Sequence, residues 1–261
     1  QIMNKNNLKV VILAGGYGSR LGTLTKLKPK PMVDVCGKPI IEHIIQLYLK
    51  SGLSNFIICG GYKSEVIKNY YKKRFRKNIL FDNKNETFIL KNNFSIRIVN
   101  TGKNSLTGGR IKRIKKYVEK DDYFHMTYGD GLSNININKL TKFHLKNKKF
   151  ATVTAVKIQV PQERFGVVYF KNKNTVKEFI EKPDIKEIFI NGGFFVLSNK
   201  IFKFIKDDLT RWEAKPLERI AKQKQLAAFK HTGFWKCMDT LRDRKYLEQF
   251  KNKKFPWNSK N

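Results

Sequence analysis

Acidic residues are scarce in this chain: 21 Asp and Glu stand against 54 Lys and Arg, a formal net charge of +33. Such a balance can mark a protein that binds nucleic acid or another anionic surface. Here the lysines are spread over nearly every segment, beside heavy use of Asn and Ile, with no aromatic platform or groove-reading motif among them. The charge therefore reads as a compositional bias over an ordinary enzyme surface, with an anionic partner or steering of anionic substrates as the alternatives. Cysteine is scarce too. Cys36, Cys59 and Cys237 are odd in number and lack metal-ligand spacing, which fits reduced thiols in a cytoplasm. No run of 18 apolar residues is present, so no membrane span is expected, and the first residues lack the apolar stretch of a secretory signal. Gln1 to Asn7 are expected to take no part in the fold.

What is present is concentrated near the start. The apolar run Val10 to Ala14 stops at Gly15-Gly16; Gly18, Arg20 and Lys28-Pro29-Lys30-Pro31 follow. A continuous apolar run is the pattern of a strand buried on both faces, as in a parallel sheet. Glycines at its C-terminal end let bare N–H groups approach a ligand, and Arg20 and Lys30 add fixed cations. A polyphosphate suits such a cradle.

The coarse order continues as helix (Pro39 to Ser51, ended by Gly52), strand (Phe56 to Gly60), and a helix capped by Ser64. A small hairpin of Thr87 to Leu90 and Ser95 to Val99 comes next, then a helix capped by Thr107. Strands are expected at Tyr123 to Thr127, Ala151 to Lys157, Val167 to Phe170, Val176 to Ile180 and Phe194 to Leu197, with a closing helix at Leu241 to Phe250. Strand–helix alternation predicts an α/β fold: a Rossmann-like, doubly wound, mixed but mainly parallel sheet with a small β insertion. A single domain over residues 8–261, with the insertion at about 75–101, accounts for the length. Ligands in such sheets sit beyond the C-terminal strand ends, where Gly15 and Gly16 fall.

The glycine loop is neither the dinucleotide fingerprint, since Leu21 takes the third glycine's place, nor a Walker loop. Asp130, between Gly129 and Gly131 after a buried strand, can hold Mg²⁺ or cap a turn. Asp239 can be a second metal ligand or an N-cap. Glu181-Lys182-Pro183 and Asn191-Gly192-Gly193 suit hydroxyl and phosphate contacts, or a surface turn and a bulge. His43, His125, His144 and His231 have no partner at ligand spacing and read as structural. Trp212 and Trp235 read as core.

These pieces, in this order, resemble the nucleoside-diphosphate-sugar pyrophosphorylases. The diagnostic parts are LAGGYGSRL at Leu13 to Leu21 and PKPM at Pro29 to Met32. ICGGYKSEVIKNYY, LTGGRIKRI, TYGDG, RFG, EKP, INGGFFVL, WEAKPL and GFWKCMDTLRD point to the cytidylyltransferase branch. The resemblance implies the nucleotide-diphospho-sugar transferase fold, and CTP and glucose 1-phosphate as substrates with Mg²⁺ as cofactor. It also implies a homo-oligomer that makes a CDP-sugar for surface polysaccharide. It places the nucleotide on Leu13, Ala14, Gly15, Gly16, Tyr17, Gly18, Ser19, Arg20, Lys30, Ser105, Thr107, Gly108, Gly109, Arg110 and Gly129. The sugar phosphate would meet Gly166, Glu181, Lys182, Asn191 and Gly193. Arg20, Lys30, Asp130 and Asp239 would carry catalysis, both aspartates holding the metal. One stretch departs from that branch: Gly22-Thr23-Leu24-Thr25 replaces the usual acidic residues. It keeps dTTP, UTP and GTP, or another sugar 1-phosphate, as alternatives. A nucleic-acid-binding protein is the reading from another class.

Overall fold

The computed structural model describes residues 8–158, 167–170, 174–180 and 188–259. The strands of its main sheet are β1 (Lys9–Ala14), β2 (Asn55–Gly60), β3 (Ile79–Asp82), β4 (Glu86–Lys91) and β5 (Phe94–Asn100). They continue with β6 (Tyr123–Tyr128), β7 (Ala151–Ile158), β8 (Ile188–Asn191), β9 (Phe195–Ser198) and β10 (Leu226–His231). From one edge the order is β3, β4, β5, β2, β1, β6, β9, β7, with β8 and β10 also on β7. β6, β1, β2 and β5 are mutually parallel. β9 joins β6 antiparallel, and β4 joins β5 the same way. The sheet is thus mixed and mainly parallel at its centre, as the alternation predicts.

β1 lies at that centre, with all of Val10 to Ala14 buried. Val10 and Ile12 face a core with the helices Ile40–Leu49, Ser64–Arg74 and Ile137–Asn147. Val11 and Leu13 face the opposite core, which contains Ile111, Ile114, Trp212 and Ile220. An apolar side chain is needed on both faces, so alternation is absent.

Several local expectations change. The second strand of the hairpin, β5, belongs to the parallel centre, so only β3 and β4 extend the sheet outward. Lys63, at φ 50°, precedes the Ser64–Arg74 helix, and no side chain caps it. Thr107 opens rather than caps the Thr107–Arg113 helix, and its hydroxyl bonds the Glu213 carboxylate at 2.7 Å. The closing helix, Leu241–Glu248, is capped by Thr240 and Asp243, so Asp239 is free of that duty. The Ile137–Asn147 and Lys215–Lys222 helices had no strong stop signals and were not anticipated. All four histidines are structural. Burial lowers the His43 and His144 pKa to about 4 and that of His125 to about 3, with the lesser effect of His144 beside it; burial also lowers that of His231.

Candidate active site

The C-terminal tips of β1 and β6, with residues 103–107 that follow β5, open onto a cavity of about 410 Å³. Arg110, itself buried, fastens together the C-terminal ends of β1, β2 and β5. Its guanidinium donates to the carbonyls of Gly15 (2.8 Å), Gly60 (3.2 Å) and Gly102 (2.8 Å) and to the Thr101 hydroxyl (2.8 Å). Arg110 lines the cavity, but these bonds commit its guanidinium to holding the loop. A Cβ at Gly15 would lie 2.1 Å from the Arg110 guanidinium and push it off these bonds. Gly18 has φ 63°, a conformation that favours glycine, and a side chain there would press on Lys30 and Thr25. At Gly15, Gly16 and Gly18 the loop therefore offers bare backbone to the cavity.

Leu13, Ala14, Gly15, Gly16, Tyr17, Gly18, Ser19, Arg20, Lys30, Ser105, Thr107, Arg110, Gly129, Asp130 and Asp239 all line this one cavity. Gly108 and Gly109 do not. Their bare Cα atoms let the turn press on the backbone of Thr210 and Asp208, where a Cβ would lie 2.7 Å and 2.3 Å from carbonyl oxygens. They fit this segment to its neighbour, between the cavity-lining Thr107 and Arg110. Asn191 and Gly193 sit by Tyr128, a cavity residue; the Asn191 amide donates to the Tyr128 hydroxyl at 3.4 Å. Gly166, Glu181 and Lys182 lie outside the described residues.

The charged wall is built by a short ladder. Gly131–Ser133 pairs antiparallel with Trp235–Cys237, and the Met238 amide donates to the Asp130 carbonyl at 2.8 Å. This pairing brings Asp130 and Asp239 together from distant parts of the chain. Lys30, set on the turn Lys30–Met32, reaches both: Nζ is 2.8 Å from Asp130 Oδ2 and 2.6 Å from Asp239 Oδ1. Arg20 Nη1 lies 3.3 Å from Asp239 Oδ2. Burial alone would lower the Lys30 pKa, but Asp130, and then Asp239, outweigh it and hold it above the ordinary 10.5. Lys30 is a fixed cation at any physiological pH.

Carboxylate oxygens of both aspartates lie within 4.8 Å of each other. Two such donors facing a cavity with room for phosphate oxygens suit a hard divalent cation, which is held by few carboxylates and keeps its remaining positions for water and substrate. The donor set fits a cation of that kind.

Sequence reasoning missed Glu213. Its carboxylate accepts from Thr107 Oγ1 and from the Tyr128 hydroxyl, both at 2.7 Å, tying the 105–107 turn to the tip of β6. The WEAKPL segment was the available signal, but an exposed glutamate in a loop carries none of its own. Tyr128, Pro31, Lys103, Asn104 and Leu106 also line the cavity.

A backbone cradle at the tips of a parallel sheet, facing two acids and a lysine, is equipped to hold phosphates and stabilise charge moving among them. A family model described as nucleotidyl transferase matches residues 9–243, and the chain belongs to that family. It is 44% identical over 257 residues to the glucose-1-phosphate cytidylyltransferase of Salmonella typhimurium, covering 96% of this chain and 98% of that protein. The Salmonella typhi protein of the same name matches to the same extent, at 44% over 257 residues. Among solved structures, HddC from Yersinia pseudotuberculosis complexed with GMP-PN gives a TM-score of 0.65 at 25% identity, covering 93% of this chain and 98% of that one.

Proposed function

We propose that this chain transfers a cytidylyl group from CTP to α-D-glucose 1-phosphate, giving CDP-glucose and pyrophosphate. The observation that carries the reaction class is the convergence of Lys30 on Asp130 and Asp239 beside the glycine loop. Base and sugar follow from the Salmonella relatives, whose names specify both.

The backbone from Leu13 to Gly18 cradles the triphosphate, and Arg20 and Lys30 lie against its charge. Asp130 and Asp239 would hold Mg²⁺, which supplies charge neutralisation on the phosphates. An oxygen of the sugar phosphate attacks the α-phosphorus in line with the departing pyrophosphate. No protein nucleophile or base is required, because the attacking phosphate is already ionised at neutral pH. The chain's contribution is position and preorganised charge. Asn191 and Gly193, beside Tyr128, mark the sugar side, where Gly166, Glu181 and Lys182 belong on the same reading. The chain acts as one domain in the cytoplasm and assembles with copies of itself. Leu80 and Phe81, exposed on the outer strand β3, are apolar surface suited to such a contact. No described helix is long and apolar enough to cross a membrane.

The test is pyrophosphate release from a panel crossing CTP, UTP, dTTP, GTP and ATP with several sugar 1-phosphates. CTP with glucose 1-phosphate should exceed every other pair. A different pair ahead by about tenfold, a step of 1.4 kcal/mol in transition-state binding, would replace the substrate assignment and leave the reaction class standing.

A further inference from the structure

The ladder that joins the two acids also delivers a sulfur. Cys237 is the last residue of Trp235–Cys237 and pairs across from Gly131, next in the chain to Asp130. Its Sγ and one oxygen each of Asp130 and Asp239 lie within 4.8 Å of one another. Spacing in the sequence gave no hint of this, because the three residues meet only through the pairing of Trp235–Cys237 with Gly131–Ser133. The other thiols are placed differently: Cys36 Sγ donates to the Leu247 carbonyl at 3.3 Å, and Cys59 is fully buried in the strand core.

We propose that Asp130, Cys237 and Asp239 form a site for a thiophilic divalent cation of the Zn²⁺ or Cd²⁺ class, which competes with Mg²⁺ for the same two acids. The inference rests on the metal-binding reading of those acids; the sulfur is what it adds. Mg²⁺ takes oxygen ligands and gains nothing from a thiol. Zn²⁺ binds thiolate and carboxylate together, at about 2.3 Å to sulfur and about 2.0–2.2 Å to oxygen. Around a tetrahedral ion with those bond lengths the ligand atoms stand about 3.4–3.7 Å apart, so donors no more than 4.8 Å apart close onto one ion with side-chain movements of about 1 Å. On binding, the thiol loses its proton to solvent as the metal–sulfur bond forms. The Lys30 ammonium, now between the acids, gives up both contacts. A third protein donor leaves fewer positions for phosphate oxygens, so the soft cation is an inhibitor of the nucleotidyl transfer.

The experiment is a Cd²⁺ titration of the chelator-treated full chain, followed by thiolate-to-metal charge-transfer absorption in the near ultraviolet. The expected result is a band that saturates at one equivalent, is lost in Cys237→Ala and Cys237→Ser, and needs roughly 10-fold or more Cd²⁺ in Asp130→Asn. Excess Mg²⁺ should raise the Cd²⁺ midpoint. Absence of the band in the unaltered protein overturns the proposal, as does a band of equal midpoint in Cys237→Ala. A midpoint indifferent to Mg²⁺ overturns the competition. Pyrophosphate release with Mg²⁺ separates the two readings: turnover without a band sinks only this inference, and a band without turnover sinks only the substrate assignment.

Discussion

Lys30 bonds both acids at once, and its charge is the group that the site can least spare. Replacing it by alanine removes one preorganised cation and leaves Asp130 and Asp239 to repel each other. Lys30→Ala should lower kcat by about 10²-fold or more under saturating substrates, measured as steady-state pyrophosphate release. Because its folded pKa lies above 10.5, the stabilisation it brings is complete below that value and is lost only as pH rises beyond it. Glu213 works one step further out, through Thr107 and Tyr128. Glu213→Gln keeps the shape but can accept at only one oxygen. A fall of about tenfold in kcat/KM is expected, consistent with losing one charge-assisted hydrogen bond, with the secondary-structure signal by circular dichroism unchanged.

At the level of the element, the Leu241–Glu248 helix is tied to the site through its cap. Asp243 accepts from the amides of Thr240 (2.8 Å) and Asp239 (3.1 Å), and it pairs with Lys236 at 2.7 Å. Burial alone would raise its pKa, but the Lys236 and Thr240 contacts outweigh it and bring the value to about 2 from 3.8. A depressed carboxyl stabilises the fold above its unfolded pKa, and the contribution vanishes as pH falls through the folded one. The loss falls between those two values. Asp243→Asn should therefore show a smaller fall in unfolding free energy than the unaltered chain as pH drops from about 4 to about 2, by urea titration. The elements that sequence reveals are those whose signal is local. Lys9–Ala14 declares itself through an unbroken apolar run, and the Ile40–Leu49 helix through its apolar face and Gly52. Leu226–His231 hides because its partner, β7, is far away in the chain and the strand itself is mostly half-buried or exposed, so no apolar run marks it. The same holds for the site: glycines, Arg20 and Lys30 are legible in one motif, whereas Glu213 and Cys237 acquire meaning only from tertiary pairing.

Over the whole molecule, an excess of 33 positive charges acts on both stability and encounter. Like charges repel in the compact state, while the same field draws in anionic nucleotides. Raising salt from about 10 mM to about 150 mM, which shortens the screening length to roughly 8 Å, should raise Tm by calorimetry and lower kcat/KM for the triphosphate. A Tm that falls with salt would show that local ion pairs dominate the global repulsion. The pairing of Gly131–Ser133 with Trp235–Cys237 has a consequence for synthesis. The glycine hollow, Lys30 and Asp130 all leave the ribosome well before the strand that precedes the second acid. A nascent chain can thus organise its first strands early and still lack half of its anionic wall. Competence for chemistry arrives late and in a single docking event, so a translation product stalled upstream of Trp235 would be folded in part and inert.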